Sequence, residues 1–261
     1  MSIFDESLDG FRIARDPERE RADIVLDRPP LNIISMSERA QLRRAFEALD
    51  ADASVRVIVL RAEGRHFSSG GSIPGFLEKT PEELTRLADH VGAPARCTKP
   101  VIAANRGYCF GVGFELSLAC DFRLASETCV YSLPEQRIGM IPGSGGSARL
   151  MKMIGITRTK DVVMRARRIP AEQALAWGIA TELVKDDVLE SATDALVEEL
   201  RALSPLASRS MKTVLNEAEE ASLSLAIALE GQAYGRLRAS DDYREGVAAF
   251  VEKRAPKFRG S

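Results

Sequence analysis

The stretch KPVIAANRGYCFGVGFELSLACD, residues 99–121, decides how this chain folds. Its VIAAN run is short, apolar and suited to a strand buried on both faces. Gly111 and Gly113 follow at a strand-to-helix turn, and GVGFELSLACD reads as the helix that leaves it. One carboxylate, Glu115, stands inside this apolar run. A lone carboxylate is costly to bury, so Glu115 either turns back to water or faces a polar cavity. The stretch YSLPEQRIGMIPGSGG, residues 131–146, raises the same question for Glu135.

Working outward, FRIARDP and RADIVLDRP alternate and point to paired strands. SMSERAQLRRAFEALDAD reads as an amphipathic helix with Leu42, Phe46 and Leu49 on one face and Ser37 as its cap. VRVIVLRAEG is a buried strand, HFSSGGSIPGF a Gly/Ser loop, and PEELTRLADHVGAPARC a helix. After residue 121 come the strands FRLASET and CVYSL, a helix SGGSARLMKMIG entered through glycines, a helix PAEQALAWG and a strand IATELV. Strands alternating with helices give the α/β class. The remainder is helical. The expected organisation is a core over residues 1–200 carrying the site and a helical region over 201–261 that packs against a partner subunit.

Of 261 residues, 45% are hydrophobic, enough for a substantial core. The net charge of -2 gives no reason to expect nucleic acid or a membrane surface as partner. Cys97, Cys109, Cys120 and Cys129 form no CxxC pair and sit among apolar neighbours, which reads as buried free thiols. The N-terminus lacks a basic-then-apolar signal, and the apolar runs are too short to span a bilayer, so a cytoplasmic location is expected.

The histidines, His66 and His90, lack the spacing of a metal site, and no metal is expected. Pro142 breaks the GxSxG pattern around Ser144, and no phosphate loop occurs. Gly143, Gly145 and Ala148 fit GxGxxA without a preceding strand or a ribose-binding acid, and read as a tight entry into a helix. The two glutamates remain. Small residues at 111 and 113 let a ligand approach backbone N–H groups at a helix N-terminus. With the helix beginning near Val112, Glu115 falls within its first turn. The SSGGS loop can supply a second N–H, and two such donors make an oxyanion hole. Carboxylates in different surroundings can then divide acid and base roles.

These segments resemble the crotonase superfamily, the enoyl-CoA hydratases and isomerases. Residues 99–121 are similar to that family's KPVIAAxxGxxxGGGxELxxxCD segment, and LPEQRIGMIPGSGGSARL to its PExxxGxxPGxGGxxRL segment. HFSSGGSI stands where the family has FxxGADI, and RRIPAEQALAWGIATELV and SDDYREGVAAFVEKRAPKF resemble its later motifs. The resemblance runs in order from about Ile24 to Phe258. It implies a superhelix of ββα units with a helical C-terminal trimerisation region, a homo-trimer or homo-hexamer, and an acyl-CoA thioester substrate. No cofactor is implied, since coenzyme A is part of the substrate. The thioester oxygen would lie between the N–H groups of Gly71 and Val112, with Ser72, Ile73, Gly113, Pro134 and Gly143 bordering the substrate. Glu135 would supply the α-proton, and Glu115 would orient and deprotonate water. Keeping both glutamates favours hydration over double-bond isomerisation, hydrolysis or carbon–carbon cleavage, and argues against a non-catalytic binding protein. The chain also departs from the pattern. Ser72 replaces the acid of GAD, Val112 the middle glycine of GGG, and Pro30 a basic residue near the CoA phosphates. Arg28, Lys253 and Lys257 are the alternative phosphate contacts. RPPLN also occurs in family members that hydrate cyclic dienoyl-CoA thioesters, so a ring-containing acyl group is a further candidate.

Overall fold

Strands β1 (Phe11–Asp16) and β2 (Arg21–Leu26) pair antiparallel, with Phe11 opposite Leu26. The structure is a computed structural model and describes residues 3–261. Helix α1 (Met36–Ala51) returns the chain to β3 (Val57–Ala62), which joins β2 in parallel. Strands β4 (Val101–Asn105), β6 (Phe122–Ser126) and β9 (Glu182–Val184) extend the sheet in the order β1-β2-β3-β4-β6-β9. Strands β2 and β4 are buried along their whole length, as expected of parallel strands covered on both faces.

Helix α1 is amphipathic as its spacing predicts, with Leu42, Phe46 and Leu49 all buried. Its cap is Ser35 rather than Ser37. Ser35 Oγ accepts from the Glu38 N–H at 3.0 Å, and Glu38 bonds back to the Ser35 N–H. That reciprocal pair satisfies two orphan donors and fixes the helix start two residues earlier. The helix expected over PEELTRLADHVGAPARC is broken into α3 (Pro81–Leu84), α4 (Leu87–Val91) and α5 (Ala93–Arg96), which follow a short α2 (Ile73–Phe76). Gly92 caps α4, and Pro94, which lacks an N–H, opens α5.

The run from β4 does not pass directly into a helix. Gly107, at φ 53, turns the chain, and residues 108–110 form β5 (Tyr108–Phe110) in a second sheet with β7 (Val130–Ser132) and β8 (Arg168–Pro170). A Cβ at Gly107 would overlap the Arg65 carbonyl, which is why only glycine serves there. Helices α6 (Val112–Ala119), α7 (Gly146–Met164) and α8 (Ala171–Ala176) complete the α/β part. All four cysteines are buried free thiols, and burial pushes that of Cys129 up to about 12.

The chain divides into two compact units. One runs through Cys97 and resumes over Val101–Thr193; the other comprises Thr98–Pro100 and Asp194–Ser261. The division falls within α9 (Leu189–Arg201). The second unit holds α10 (Pro205–Ala218), α11 (Leu223–Leu237) and α12 (Asp241–Glu252), each begun by a serine whose Oγ accepts an N–H of the first turn. Among the described residues no helix is long and apolar enough to cross a membrane.

Candidate active site

The site is built where the 68–72 loop runs beside the start of α6. Ser68 bridges Cys109 in parallel, with Ser68 N–H donating to the Tyr108 carbonyl at 2.8 Å and Phe110 N–H to the Ser68 carbonyl at 2.9 Å. Carrying this register forward three residues sets Gly71 opposite Val112. On the loop's other edge Ile34 N–H donates to the Gly70 carbonyl and Ser72 N–H to the Ile34 carbonyl, both at 3.0 Å. In such a parallel ladder the Gly71 N–H points away from Ile34. Val112 opens α6, so its N–H is one of the helix's unpaired donors. Among the described residues neither N–H donates to another backbone group. Two free donors on neighbouring strand ends are the makings of an oxyanion hole.

Glycines permit this closeness. Gly111 takes φ 51, which is left-handed backbone, and a Cβ there would lie 3.6 Å from the Gly70 Cα and 3.1 Å from Glu135 Oε1. The Glu135 carboxylate therefore lies over the Gly111 backbone, next to the first N–H of α6. The Val112 side chain is buried in the hydrophobic core, so its substitution for glycine leaves the N–H in place.

Glu115 answers the question its sequence posed. It is buried, and its Oε1 accepts from the Ser144 N–H at 2.8 Å and the Gly146 N–H at 3.0 Å. Both donors stand at the N-terminus of α7, where the helix dipole favours a carboxylate. The buried charge is thereby compensated, through one oxygen only. Glu135 follows Pro134 and begins a 3-10 turn, Glu135–Ile138. Its Oε2 is buried without a hydrogen-bond partner. Burial, opposed by a hydrogen bond from its own backbone N–H and reinforced by the nearby Glu115 charge, pushes its pKa up to about 7. The two carboxylates thus have unlike surroundings, one held by two donors and one desolvated.

The remaining sequence candidates fall out differently. Ser72 is half-buried at the start of α2, Ile73 beside it is 56% exposed, and Pro134 is half-buried next to Glu135. Gly113 faces Ser68, whose Cβ would lie 2.6 Å from a Cβ at 113; that glycine is required by packing. Gly143 is exposed, with nothing within 4 Å of where its Cβ would be. Arg28 is already engaged by Asp9, by Glu38 Oε2 at 2.8 Å and by the Ile33 carbonyl at 2.6 Å, which leaves it ill placed to hold a phosphate.

Three contributions were not foreseen: the N–H groups of Ser144 and Gly146, and Arg39. The first two carry no sequence signal, because only the fold brings α7's start to Glu115. Arg39 did leave one. It lies three residues before Leu42, on the apolar stripe of α1, where a charge is out of place. It is buried, and a Cβ on Gly71 would overlap its Nη2.

Gly146 offers a direct test of how Glu115 is held. A Cβ there would stand 2.8 Å from Glu115 Cγ and 3.1 Å from Leu133 Cδ2. Gly146→Ala is expected to displace the carboxylate and lower turnover on an enoyl-CoA by about a hundredfold, the cost of an ångström-scale misplacement. The far-ultraviolet circular dichroism should not change. Unaltered turnover would show that Glu115 need not sit where Ser144 and Gly146 hold it.

Comparison with known proteins identifies the family. The family model described as enoyl-CoA hydratase/isomerase matches residues 19–261. The chain is 32% identical over 240 residues to the 2,3-dehydroadipyl-CoA hydratase of Escherichia coli, covering 91% of this chain and 94% of that protein. It is 33% identical over 253 residues to the carnitinyl-CoA dehydratase of Proteus mirabilis, with the same coverage of 91% and 94%. A crystal structure of an enoyl-CoA hydratase subunit I from Geobacillus kaustophilus superposes with a TM-score of 0.92 at 33% identity, covering 98% of this chain and all of that one. With the motifs in order, the fold shared along nearly the whole length and two glutamates beside a pair of free N–H donors, the chain belongs to the enoyl-CoA hydratase/isomerase family of crotonase-superfamily enzymes.

Proposed function

We propose that the protein adds water across the α,β double bond of an unsaturated acyl-CoA thioester. The observation that carries this reading is the pair of unlike carboxylates, Glu115 and Glu135, at the start of α6 beside the N–H groups of Gly71 and Val112. The thioester oxygen accepts from those two donors. As water adds at the β-carbon, negative charge moves onto that oxygen, and the donors stabilise it most in the transition state. Glu115 is fixed through Oε1, so its other oxygen takes a proton from the attacking water. Glu135, with a pKa near 7, is protonated in a large fraction of molecules at neutral pH and delivers its proton to the α-carbon. The hydroxyl ends on the β-carbon and the hydrogen on the α-carbon, and the carboxylates return to their starting states after proton exchange. Both relatives named above act on CoA thioesters, one by hydration and one by dehydration.

A panel of enoyl-CoA thioesters with short, branched, aromatic and cyclic acyl groups tests this. Loss of the conjugated thioester absorbance with the mass gain of one water supports hydration. Turnover without a mass change identifies an isomerase, and release of free coenzyme A a hydrolase. Either of those outcomes removes the hydratase reading.

The same reading includes a homo-oligomer built through the C-terminal helices. In α11 and α12, Leu223, Ile227, Phe250 and Val251 are between 61% and 86% exposed, an apolar face that water disfavours. Sedimentation is expected to give a trimer or hexamer. A monomer at micromolar concentration would rule this out.

A further inference from the structure

Arg39 is a charge that the fold buries and leaves unpaired. It is 3% exposed, yet it makes no ion pair within 4.0 Å among the described residues, and its Nε has no hydrogen-bond partner. Arginine is seldom buried unless paired, and an uncompensated interior charge is strongly unfavourable. Its guanidinium lies 5.1 Å from the centroid of the Phe76 ring, and its Nη2 sits against Gly71 where a Cβ would be.

The groups around it narrow what it does. Glu38, on the same helix, is engaged by Arg28 at 2.8 Å. From α4, His90 feels the Arg39 charge, and burial first and Arg43 second hold it below the usual imidazole range. From α6 and the 3-10 turn, Glu115 and Glu135 are the remaining acids whose charge reaches Arg39. Glu115 Oε1 is held by Ser144 and Gly146. The cation therefore stands beside Gly71, against its Cα, with no acid in ion-pair contact with it. When a thioester oxygen bound to the Gly71 N–H gains negative charge, a fixed cation beside that residue acts more strongly on the transition state than on the ground state. Low surrounding polarity strengthens that effect.

We propose that Arg39 is a positioning residue that serves as the fixed positive charge of the oxyanion hole, acting through Gly71 without touching substrate. The inference rests on the hole assigned under the proposed function. It does not depend on which reaction follows, since any chemistry passing through a thioester enolate would use the same charge.

Arg39→Met keeps the side chain's length and removes the charge; Arg39→Lys keeps the charge. Arg39→Met is expected to lower kcat at least about tenfold, a fraction of the loss on removing a hole donor, with KM changed less than about threefold. Arg39→Lys should recover most of kcat. The decisive readout is optical. Cinnamoyl-CoA, a conjugated aromatic enoyl thioester, is bound to Glu135→Gln protein to suppress turnover, and its absorbance maximum is compared free and bound. A red shift on binding reports polarisation of the thioester carbonyl. It should shrink in the Arg39→Met, Glu135→Gln double variant and persist in the Arg39→Lys, Glu135→Gln one. An undiminished red shift with Arg39→Met overturns the proposal, whatever happens to kcat. So does a lowered melting temperature in both variants with equal loss of kcat, which marks Arg39 as packing only. If the parent protein polarises the bound thioester but adds no water to any enoyl-CoA, the hydratase reading fails and the role of Arg39 stands.

Discussion

Glu135→Gln is expected to lower hydration turnover by at least about a hundredfold, the lower range for losing a general acid. The amide keeps the size of the side chain and cannot deliver a proton to the α-carbon. Because Glu135 must be protonated to act in hydration and its pKa is pushed up to about 7 in the free protein, kcat/KM for hydration should fall as pH rises through about 7. In the reverse direction the carboxylate is the competent form, so dehydration should fall as pH drops through the same value. A hydration profile flat from pH 6 to 8, or near-normal turnover of the variant, would remove Glu135 from the mechanism. The same substitution has a stability consequence of opposite sign. The folded pKa of about 7 lies above the ordinary 4.5, so the native state holds the proton more tightly than the unfolded chain. That contribution is complete below the unfolded value and is lost as pH rises from about 4.5 through about 7. Glutamine does not titrate. Glu135→Gln should therefore gain on the parent across this window, by up to about 3 kcal/mol above pH 7. Glu38, also pushed up to about 7, mainly by burial, titrates in both proteins and cancels in the comparison. Equal stability of the two proteins at pH 8 would show that the Glu135 carboxylate is not desolvated as the structure has it.

The second large effect is expected at Glu115, where two substitutions separate chemistry from support. In Glu115→Gln an amide oxygen can still accept from Ser144 and Gly146, so the fold should hold while the proton acceptor for water is lost. Turnover should fall by about a hundredfold or more. Glu115→Ala also removes the acceptor and leaves two buried N–H groups unsatisfied at the start of α7. Each such group costs about 1–3 kcal/mol, so this variant should be clearly less stable than Glu115→Gln in urea. If both variants unfold at the same urea concentration, the two hydrogen bonds do not anchor α7. If Glu115→Gln turns over normally, Glu115 is structural and the attacking water is activated elsewhere.

Much of this protein was legible in one dimension because the signals are local. The alternation in FRIARD and RADIVL, the apolar VIVLRA and VIAAN runs and the serines that open the last three helices each mark an element through its immediate neighbours. Gly111 and Glu115 stand out for the same reason, since a helix start fixes their spacing within a single turn. Where the sequence reading failed, the deciding contact came from afar or from a competing local bond. Residues 108–110 form a strand because Gly107 turns the chain beside Arg65, and their strand partners lie after residue 129. The cap of α1 fell to Ser35 because Glu38 could bond back to it.

The sequence by itself determined the order of strands and helices, the two glutamates and the glycines that let backbone approach backbone, because these depend on the periodicity and conformational range of adjacent residues. Only the tertiary structure decided what those glutamates are worth. It set Ser144 and Gly146 against Glu115, left the Glu135 Oε2 buried without a partner, and placed the unpaired Arg39 beside Gly71. Desolvation and charge–charge interaction depend on distance in space, and no spacing along the chain encodes that distance.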